Sequence, residues 1–484
     1  MRICYISSEV APLAKTGGLA DVAGALPADL QRRGHDIRLF MPYYPQVTGP
    51  LELRPIAAAT DVAVQCGPHE LRFNLLQTKL PGTLLDIYLI DCPALYDRPA
   101  LYTLDPDEHL RFLLLQRAAL ECCQRLQFAP QIIHCNDWHA ALVPLLLKTV
   151  YGWDRLFAGT RTLLTIHNIG YQGIFPASTA NTLNLGASLS LLDAADLANG
   201  QINWLKNGIV HADRVSTVSP TYAREICTPA GGYGLDAALR ARSHPVAGIL
   251  NGVDYSQWNP ATDAFLDYHF SEQDLSGKRR VKAKVLRTSD DATLDLPLIG
   301  VVSRMTVQKG FDLLFDTLPG ILAQRQLHFF ALGSGDAPYE NFFASLQQAF
   351  PDRVTFIRGY NERLGHMIEA GSDLFLMPSL YEPCGLNQLY SLKYGTVPIV
   401  RRTGGLADSV QMWDPATRRG TGVVFNDFDA NGVRWAIETA LDLFQDKSAW
   451  RTLIANGMAQ DFSWEHQGGE YEQLYKELLA QEPA

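Results

Sequence analysis

Hydrophobic and polar positions run along the chain in two rhythms. Short apolar, β-branched runs that read as buried strands fall at 2–7, 36–41, 85–91, 131–135, 161–166, 214–218 and 246–250. Between them lie stretches with the 3.6-residue period of amphipathic helices, such as 18–33 and 108–126. Strands alternating with helices predict βαβ units and hence a parallel sheet. The pattern then starts again, with strand candidates at 298–303, 328–332, 354–357, 373–377 and 397–400. The stretch 251–280 between the two series is poor in apolar runs and ends in Lys278-Arg279-Arg280, which places a domain junction near its start. A helical segment at 464–480 has no strand after it and is free to fold back across that junction. The expected fold is α/β, with two domains built on parallel sheets.

Composition narrows the function without choosing it. A chain of 484 residues predicts two or three domains, and 47% hydrophobic with 19% charged residues makes a well-cored globular protein. The net charge of −10 argues against nucleic acid as a partner, which would need a basic face, while leaving room for a local basic pocket. An uncharged polymer suits such a surface. The eight cysteines, at 4, 66, 92, 122, 123, 135, 227 and 384, form no CxxC pair and no zinc spacing. They read as packed thiols of a reduced, cytoplasmic protein. The chain opens directly on a strand candidate, and no apolar run reaches the roughly 18 residues of a membrane span, so neither a leader nor a membrane is expected.

One word occurs twice. Thr16-Gly17-Gly18-Leu19-Ala20-Asp21 recurs letter for letter as Thr403-Gly404-Gly405-Leu406-Ala407-Asp408, each copy after a strand candidate and before a helix pattern. Two Gly-rich turns at the carboxyl edges of two sheets, where ligands of open α/β sheets bind, would make one cleft if they faced each other. Chance recurrence of common residues is the plain alternative.

Three segments carry candidate chemistry. Lys15 with Gly17-Gly18 precedes a helix start, where glycine admits a ligand to the backbone and N–H groups meet an anion. A helix start with a solvated lysine reads equally well. Arg304 and Lys309 stand five residues apart after the strand that opens the second half, a spacing suited to two oxygens of a diphosphate, with solvated surface cations as the plain alternative. Glu382-Pro383-Cys384-Gly385-Leu386-Asn387 puts a carboxylate beside exposed backbone donors, a combination that grips sugar hydroxyls, although a common Glu-Pro turn reads equally well. His167-Asn168 and Asn136-Asp137-Trp138-His139 cap two further strands; a histidine there is as often a satisfied core residue, and Trp138 is a sugar platform or core. The chain lacks GxxxxGK[ST], GxSxG and HExxH, and Gly333-Ser334-Gly335 is a broken dinucleotide fingerprint with Pro338 in place of its third glycine. P-loop hydrolases, α/β-hydrolases, zincins and NAD-dependent dehydrogenases are therefore disfavoured.

Taken together, these residues resemble the bacterial glycogen synthase and plant starch synthase family. The resemblance rests on Lys15 to Asp21, His167-Asn168 with Gly170-Tyr171-Gln172-Gly173, Val218-Ser219-Pro220-Thr221-Tyr222, Asn251-Gly252-Val253-Asp254, Ser303-Arg304 with Gln308-Lys309-Gly310, and Glu382 to Leu386, in family order. It implies a GT-B fold, two Rossmann-like domains with parallel sheets facing an interdomain cleft: an acceptor-side domain at 1–250, a nucleotide-sugar domain at 251–460, and a last helix at 461–484 crossing back. It implies retaining transfer of glucose from ADP-glucose to the non-reducing 4-hydroxyl of an α-1,4-glucan, with no cofactor and no metal, protein cations replacing Mg²⁺. UDP-glucose stays open as donor. By position, Lys15, Gly18, Asn251, Cys384, Gly385 and Leu386 bind donor; His167, Arg304, Lys309 and Glu382 are catalytic; Asp137 and Trp138 face the acceptor. The chain departs from the pattern at Asn387, where the family often has Thr, and at Tyr390, where many related transferases carry a second Glu. A pyridoxal-dependent glucan phosphorylase, a nucleotide-sugar epimerase and a non-enzymatic glucan-binding regulator remain as alternatives.

Overall fold

Most of the apolar runs become strands because they are buried on both faces. In the computed structural model, which describes residues 1–47 and 51–480, Ile3, Cys4, Tyr5 and Ile6 of β1 (Arg2–Ile6) are all fully buried. The first series continues with β2 (Asp36–Pro42), β3 (Arg54–Pro55), β4 (Val62–Cys66), β5 (His69–Lys79), β6 (Asp86–Asp91), β7 (Ile132–Asn136), β8 (Arg161–Ile166), β9 (Ile174–Pro176), β10 (Gln201–Asn203), β11 (Arg214–Thr217) and β12 (Ala247–Gly248). The second comprises β13 (Leu298–Val302), β14 (His328–Gly333), β15 (Val354–Arg358), β16 (Leu374–Met377), β17 (Val397–Arg401) and β18 (Val423–Phe425).

The chain divides into two units. The first comprises Met1–Val218, Ala223–Gly252 and Trp464–Ala484, of which residues 48–50 and 481–484 lie outside those described; the second comprises Ser219–Tyr222 and Val253–Ser463. The sheet of the first runs β12-β11-β8-β7-β1-β2-β6-β5-β3, with β4 paired to β5. It is parallel from β12 to β6 and antiparallel beyond. The sheet of the second runs β15-β14-β13-β16-β17-β18 and is parallel throughout. In both sheets the opening strand lies centrally and the chain winds first to one side, then to the other. That is the doubly wound order, with its reversal between β1 and β7 in one unit and between β13 and β16 in the other.

Two helices show how the pattern is read. Helix α1 (Gly18–Arg32) buries Leu19, Val22, Ala23, Leu26 and Leu30, the stripe its period predicts. The helix Trp464–Ala480 packs on α1, burying Tyr471, Leu474, Tyr475 and Leu478. There Arg33 bonds Asp29 at 2.6 Å and the Glu465 carbonyl, while the Tyr475 hydroxyl meets His134 Nδ1 at 2.7 Å. Seven of the eight cysteine thiols are buried and none forms a disulfide. No helix among the described residues is long and apolar enough to cross a membrane.

Candidate active site

In a doubly wound sheet the loops beyond the carboxyl ends of the strands at the reversal part from one another, opening a crevice. Every candidate motif except the Val218 and Asn251 segments follows such a strand or the strand beside it.

In the first unit, β1 leads into the loop carrying Lys15, β7 ends at Asn136-Asp137, and β8 ends at His167. Lys15 Nζ pairs with Asp21 Oδ1 at 2.6 Å, and its side chain is 46% exposed. The loop is shaped by Glu9, a buried carboxylate that sequence reasoning passed over. Its Oε2 accepts the Thr16 N–H at 2.5 Å and the Gly17 N–H at 3.3 Å, and Oε1 accepts the Thr16 and Tyr102 hydroxyls at 3.0 and 2.9 Å. Burial pushes its pKa up against these bonds. Two N–H groups expected to meet a ligand anion are therefore already engaged. A carboxylate six residues before Lys15, on the loop leaving a strand, was the available signal.

Asp137 holds the end of β8. Its Oδ1 accepts the His167 N–H at 2.6 Å, its carboxylate also accepts from the Asn168 N–H, and burial raises its pKa to about 7. Its φ of 53° with ψ of −172° is a region nearly reserved for glycine, costing on the order of 1–3 kcal/mol. His167 Nε2 lies 2.9 Å from Asn136 Oδ1, and Asn136 Nδ2 donates to the Ile6 carbonyl, so Nε2 carries the proton and Nδ1 is left as an acceptor. Burial lowers the His167 pKa to about 3, which keeps the ring neutral. Trp138 is 9% exposed, packed edge-on by Phe112, Phe175 and Trp204. Gly173, at φ 61°, lies so close that an added Cβ would stand 2.4 Å from the indole. The ring is mostly core, and any sugar contact falls to its remaining edge.

In the second unit, Arg304 lies two residues beyond β13 and Glu382 five beyond β16. Lys309 Nζ pairs with Glu382 Oε2 at 2.7 Å, and Ser379 Oγ donates to the same oxygen at 3.0 Å. Arg304 is exposed and makes no ion pair with a described residue. The two loops are stitched together: the Leu380 N–H donates to the Gln308 carbonyl at 2.9 Å, and Gly310, at φ 69°, would place a Cβ 2.1 Å from the Pro378 carbonyl. Beyond Glu382, Gly385 adopts φ 73°. Gln388 Nε2 donates to the Cys384 and Gly385 carbonyls, both at 3.0 Å. Behind this turn stands the second Thr-Gly-Gly word: the Gly405 N–H donates to the Glu382 carbonyl at 3.1 Å, and Ser219 Oγ donates to the Pro383 carbonyl at 2.6 Å. Gln388 is a support that no local pattern singles out, whereas Gly405 and Ser219 stand in motifs visible in the sequence without this role being written there. Asn251, in the first unit, is buried with its Oδ1 unpartnered. Tyr390 is buried with its ring stacked on Trp258 at 3.7 Å, so the position of a second glutamate in related enzymes serves here as packing. Among the described residues no group of three or more His, Cys, Asp or Glu could hold a metal.

The strand order, with a lysine paired to a buried carboxylate past the second sheet, is that of a GT-B glycosyltransferase. Residues 2–241 match the starch synthase catalytic domain and residues 286–452 the glycosyl transferases group 1 family. The chain belongs to the glycogen and starch synthase family. It is 45% identical to a glycogen synthase of Koribacter versatilis, covering 98% of both chains, and 44% identical to one of Anaeromyxobacter dehalogenans, covering 99% and 100%. The catalytic domain of starch synthase IV from Arabidopsis thaliana, bound to ADP and acarbose, superposes with a TM-score of 0.91 at 34% identity, over 99% of each chain. Sucrose-phosphate synthase from Thermosynechococcus elongatus shares the fold, with a TM-score of 0.60 at 20% identity over 99% of each chain.

Proposed function

We propose that the protein elongates glycogen, moving glucose from ADP-glucose to the non-reducing 4-hydroxyl of an α-1,4-glucan with retention and releasing ADP. The observation that carries this is the Lys309–Glu382 pair just before the turn 384–386, with Arg304 five residues before Lys309 on the same loop. The relative bound to ADP and acarbose supports the same donor and acceptor classes.

Each residue takes a role that its surroundings allow. Arg304 and Lys309 hold the departing diphosphate, and Lys15 with the start of α1 at Gly18 meets the donor phosphates. Glu382 and the backbone of Cys384, Gly385 and Leu386 orient the donor glucose, and Asn251 offers its unpartnered Oδ1 to the donor. His167, neutral, accepts a hydrogen bond from a sugar hydroxyl through Nδ1. Asp137 and the free edge of Trp138 border the acceptor. Breaking the glucosyl–phosphate bond leaves positive charge on the sugar and negative charge on the phosphate, which preorganised cations stabilise better than water. The leaving phosphate takes the acceptor's proton on the same face, so no protein nucleophile is needed. Glu382, already held by Lys309 and Ser379, is poorly placed to attack. Trapping a glucosyl–Glu382 adduct would overturn that route.

The protein cations take the part a divalent ion plays in other transferases, and we assign the reaction to the cytoplasm, where thiols outside disulfides stay reduced. The test is nucleotide release from ADP-glucose or UDP-glucose, with and without glycogen, in EDTA. Glycogen-dependent ADP release unaffected by EDTA, with little from UDP-glucose, is expected. Release without glycogen points to an epimerase or hydrolase, and none from either donor to a glucan-binding regulator.

A further inference from the structure

Glu369 is a buried acid that the reaction above does not use. It lies on the helix Glu362–Gly371, which precedes β16, and is 1% exposed. Both of its carboxylate oxygens are gripped by one neighbouring helix, Asn387–Lys393. Asn387 Nδ2 donates to Oε1 at 2.9 Å, and Ser391 Oγ donates to Oε2 at 2.6 Å. Asn387 and Ser391 are four residues apart, one turn, so they present one face to the carboxylate.

That helix begins where the donor turn ends. Asn387 directly follows Leu386, and Gln388, the next residue, reaches back to the carbonyls of Cys384 and Gly385. Turn and first helical turn therefore form one body. At the other end, the Tyr394 carbonyl accepts from Lys278 Nζ at 3.1 Å, and Lys278 also donates to Thr396 Oγ1 at 2.6 Å, whose hydroxyl meets the Glu369 carbonyl. Burying a carboxyl here is unfavourable, and burial pushes its pKa up to about 8. Apolar side chains of similar volume would pack without that cost, so the acid's distinctive contribution is direction.

We propose that Glu369 is a positioning residue for the donor: acting through Asn387 and Ser391, it sets the rotation of the helix Asn387–Lys393 and hence the aim of the backbone N–H groups at 384–386. The chain's departure at Asn387 then has a reason, because an asparagine amide reaches the carboxylate. This rests on the reading of 384–386 as the donor turn.

The test is steady-state kinetics with ADP-glucose and glycogen varied separately, on Glu369→Leu, Glu369→Gln, Asn387→Ala and the Glu369→Leu/Asn387→Ala double variant. Glu369→Leu and Asn387→Ala should each raise KM for ADP-glucose about tenfold, with kcat and the glycogen KM within about twofold. The double variant should be no worse than the more affected single one, because both break the same link. Glu369→Gln, which still accepts from Asn387 and donates to Ser391, should restore the donor KM to within about twofold. An unchanged donor KM in Asn387→Ala, additive effects, or an equal rise in the glycogen KM would overturn the proposal. If Glu369→Leu fails to fold, Asn387→Ala and Glu369→Gln decide alone. A wild-type protein that releases no ADP from ADP-glucose would instead overturn the functional reading.

Discussion

The two copies of Thr-Gly-Gly-Leu-Ala-Asp do different work. In the first, Gly17 is extended, and a Cβ added there would meet nothing within 4 Å. In the second, Gly404 sits at φ 44°, and added Cβ atoms at Gly404 and Gly405 would stand 1.9 Å from the Glu382 carbonyl and 2.2 Å from the Cys384 carbonyl. The first copy's N–H groups are held by a side chain, Glu9, and its aspartate pairs with the adjacent Lys15. In the second copy the Gly405 N–H is held by the carbonyls of Glu382 and Pro383, and the Thr403 N–H by that of Arg401. This copy's aspartate crosses to Thr221, accepting from the N–H at 2.7 Å and the hydroxyl at 2.6 Å. One copy is an open loop set by an acid; the other is the wall behind a neighbouring loop. Identical residues acquire opposite tolerances because what packs on them differs.

The sharpest way to probe the second copy's surroundings is to remove the cation its wall supports. Lys309→Ala should lower kcat by about 10²–10³, or about 3 kcal/mol, measured as ADP release. Next comes the glycine contrast: Gly405→Ala should destabilise by about 1–3 kcal/mol in thermal melts and weaken donor binding, whereas Gly17→Ala should do neither. Equal effects would break the comparison outright. Asp408→Ala removes two hydrogen bonds to a carboxylate and should cost about 1.5–3 kcal/mol of stability by the same measurement.

A pH test bears on the first unit, where two buried titratable groups stand at the ends of β7 and β8. Asp137 titrates at about 7 in the folded chain, against about 4 unfolded. The proton it holds contributes stability that is full below pH ~4 and lost as pH rises towards 7. His167, lowered to about 3, contributes the opposite way, its share present above pH ~6.5 and lost as pH falls towards 3. Asp137→Asn should therefore gain on the wild type by a few °C in Tm between pH 4 and 8. Asp21→Ala should change stability least, by about 0–1 kcal/mol, since the Lys15 pair is largely exposed.

Much of the second unit was legible from apolar runs: five of its six strands lie where their hydrophobic stretches predicted them, each within a residue or two. The missed β18 is only three residues long, too short for any period to register. In the first unit the long antiparallel β5 escaped notice because its Arg72, Asn74 and Gln77 alternate with apolar positions on a half-covered edge, unlike the solid runs of the parallel core. The candidate turn Glu382-Pro383-Cys384-Gly385 was visible because its chemistry is local. Its supports were not, since Ser219 lies 164 residues from Pro383 and Lys278 116 from Tyr394.

The sequence by itself determined the alternation of strands and helices, the repeated Gly-Gly word and the order of the motifs along the chain. All of these are written within a few neighbouring residues, where periodicity and turn chemistry act. Only the tertiary structure decided that β1 pairs with both β2 and β7, that β13 pairs with both β14 and β16, and that Glu9 closes one copy of the word while Glu382 leans on the other. Those choices depend on which surfaces are buried together, a property of the packed chain that no window of its sequence contains.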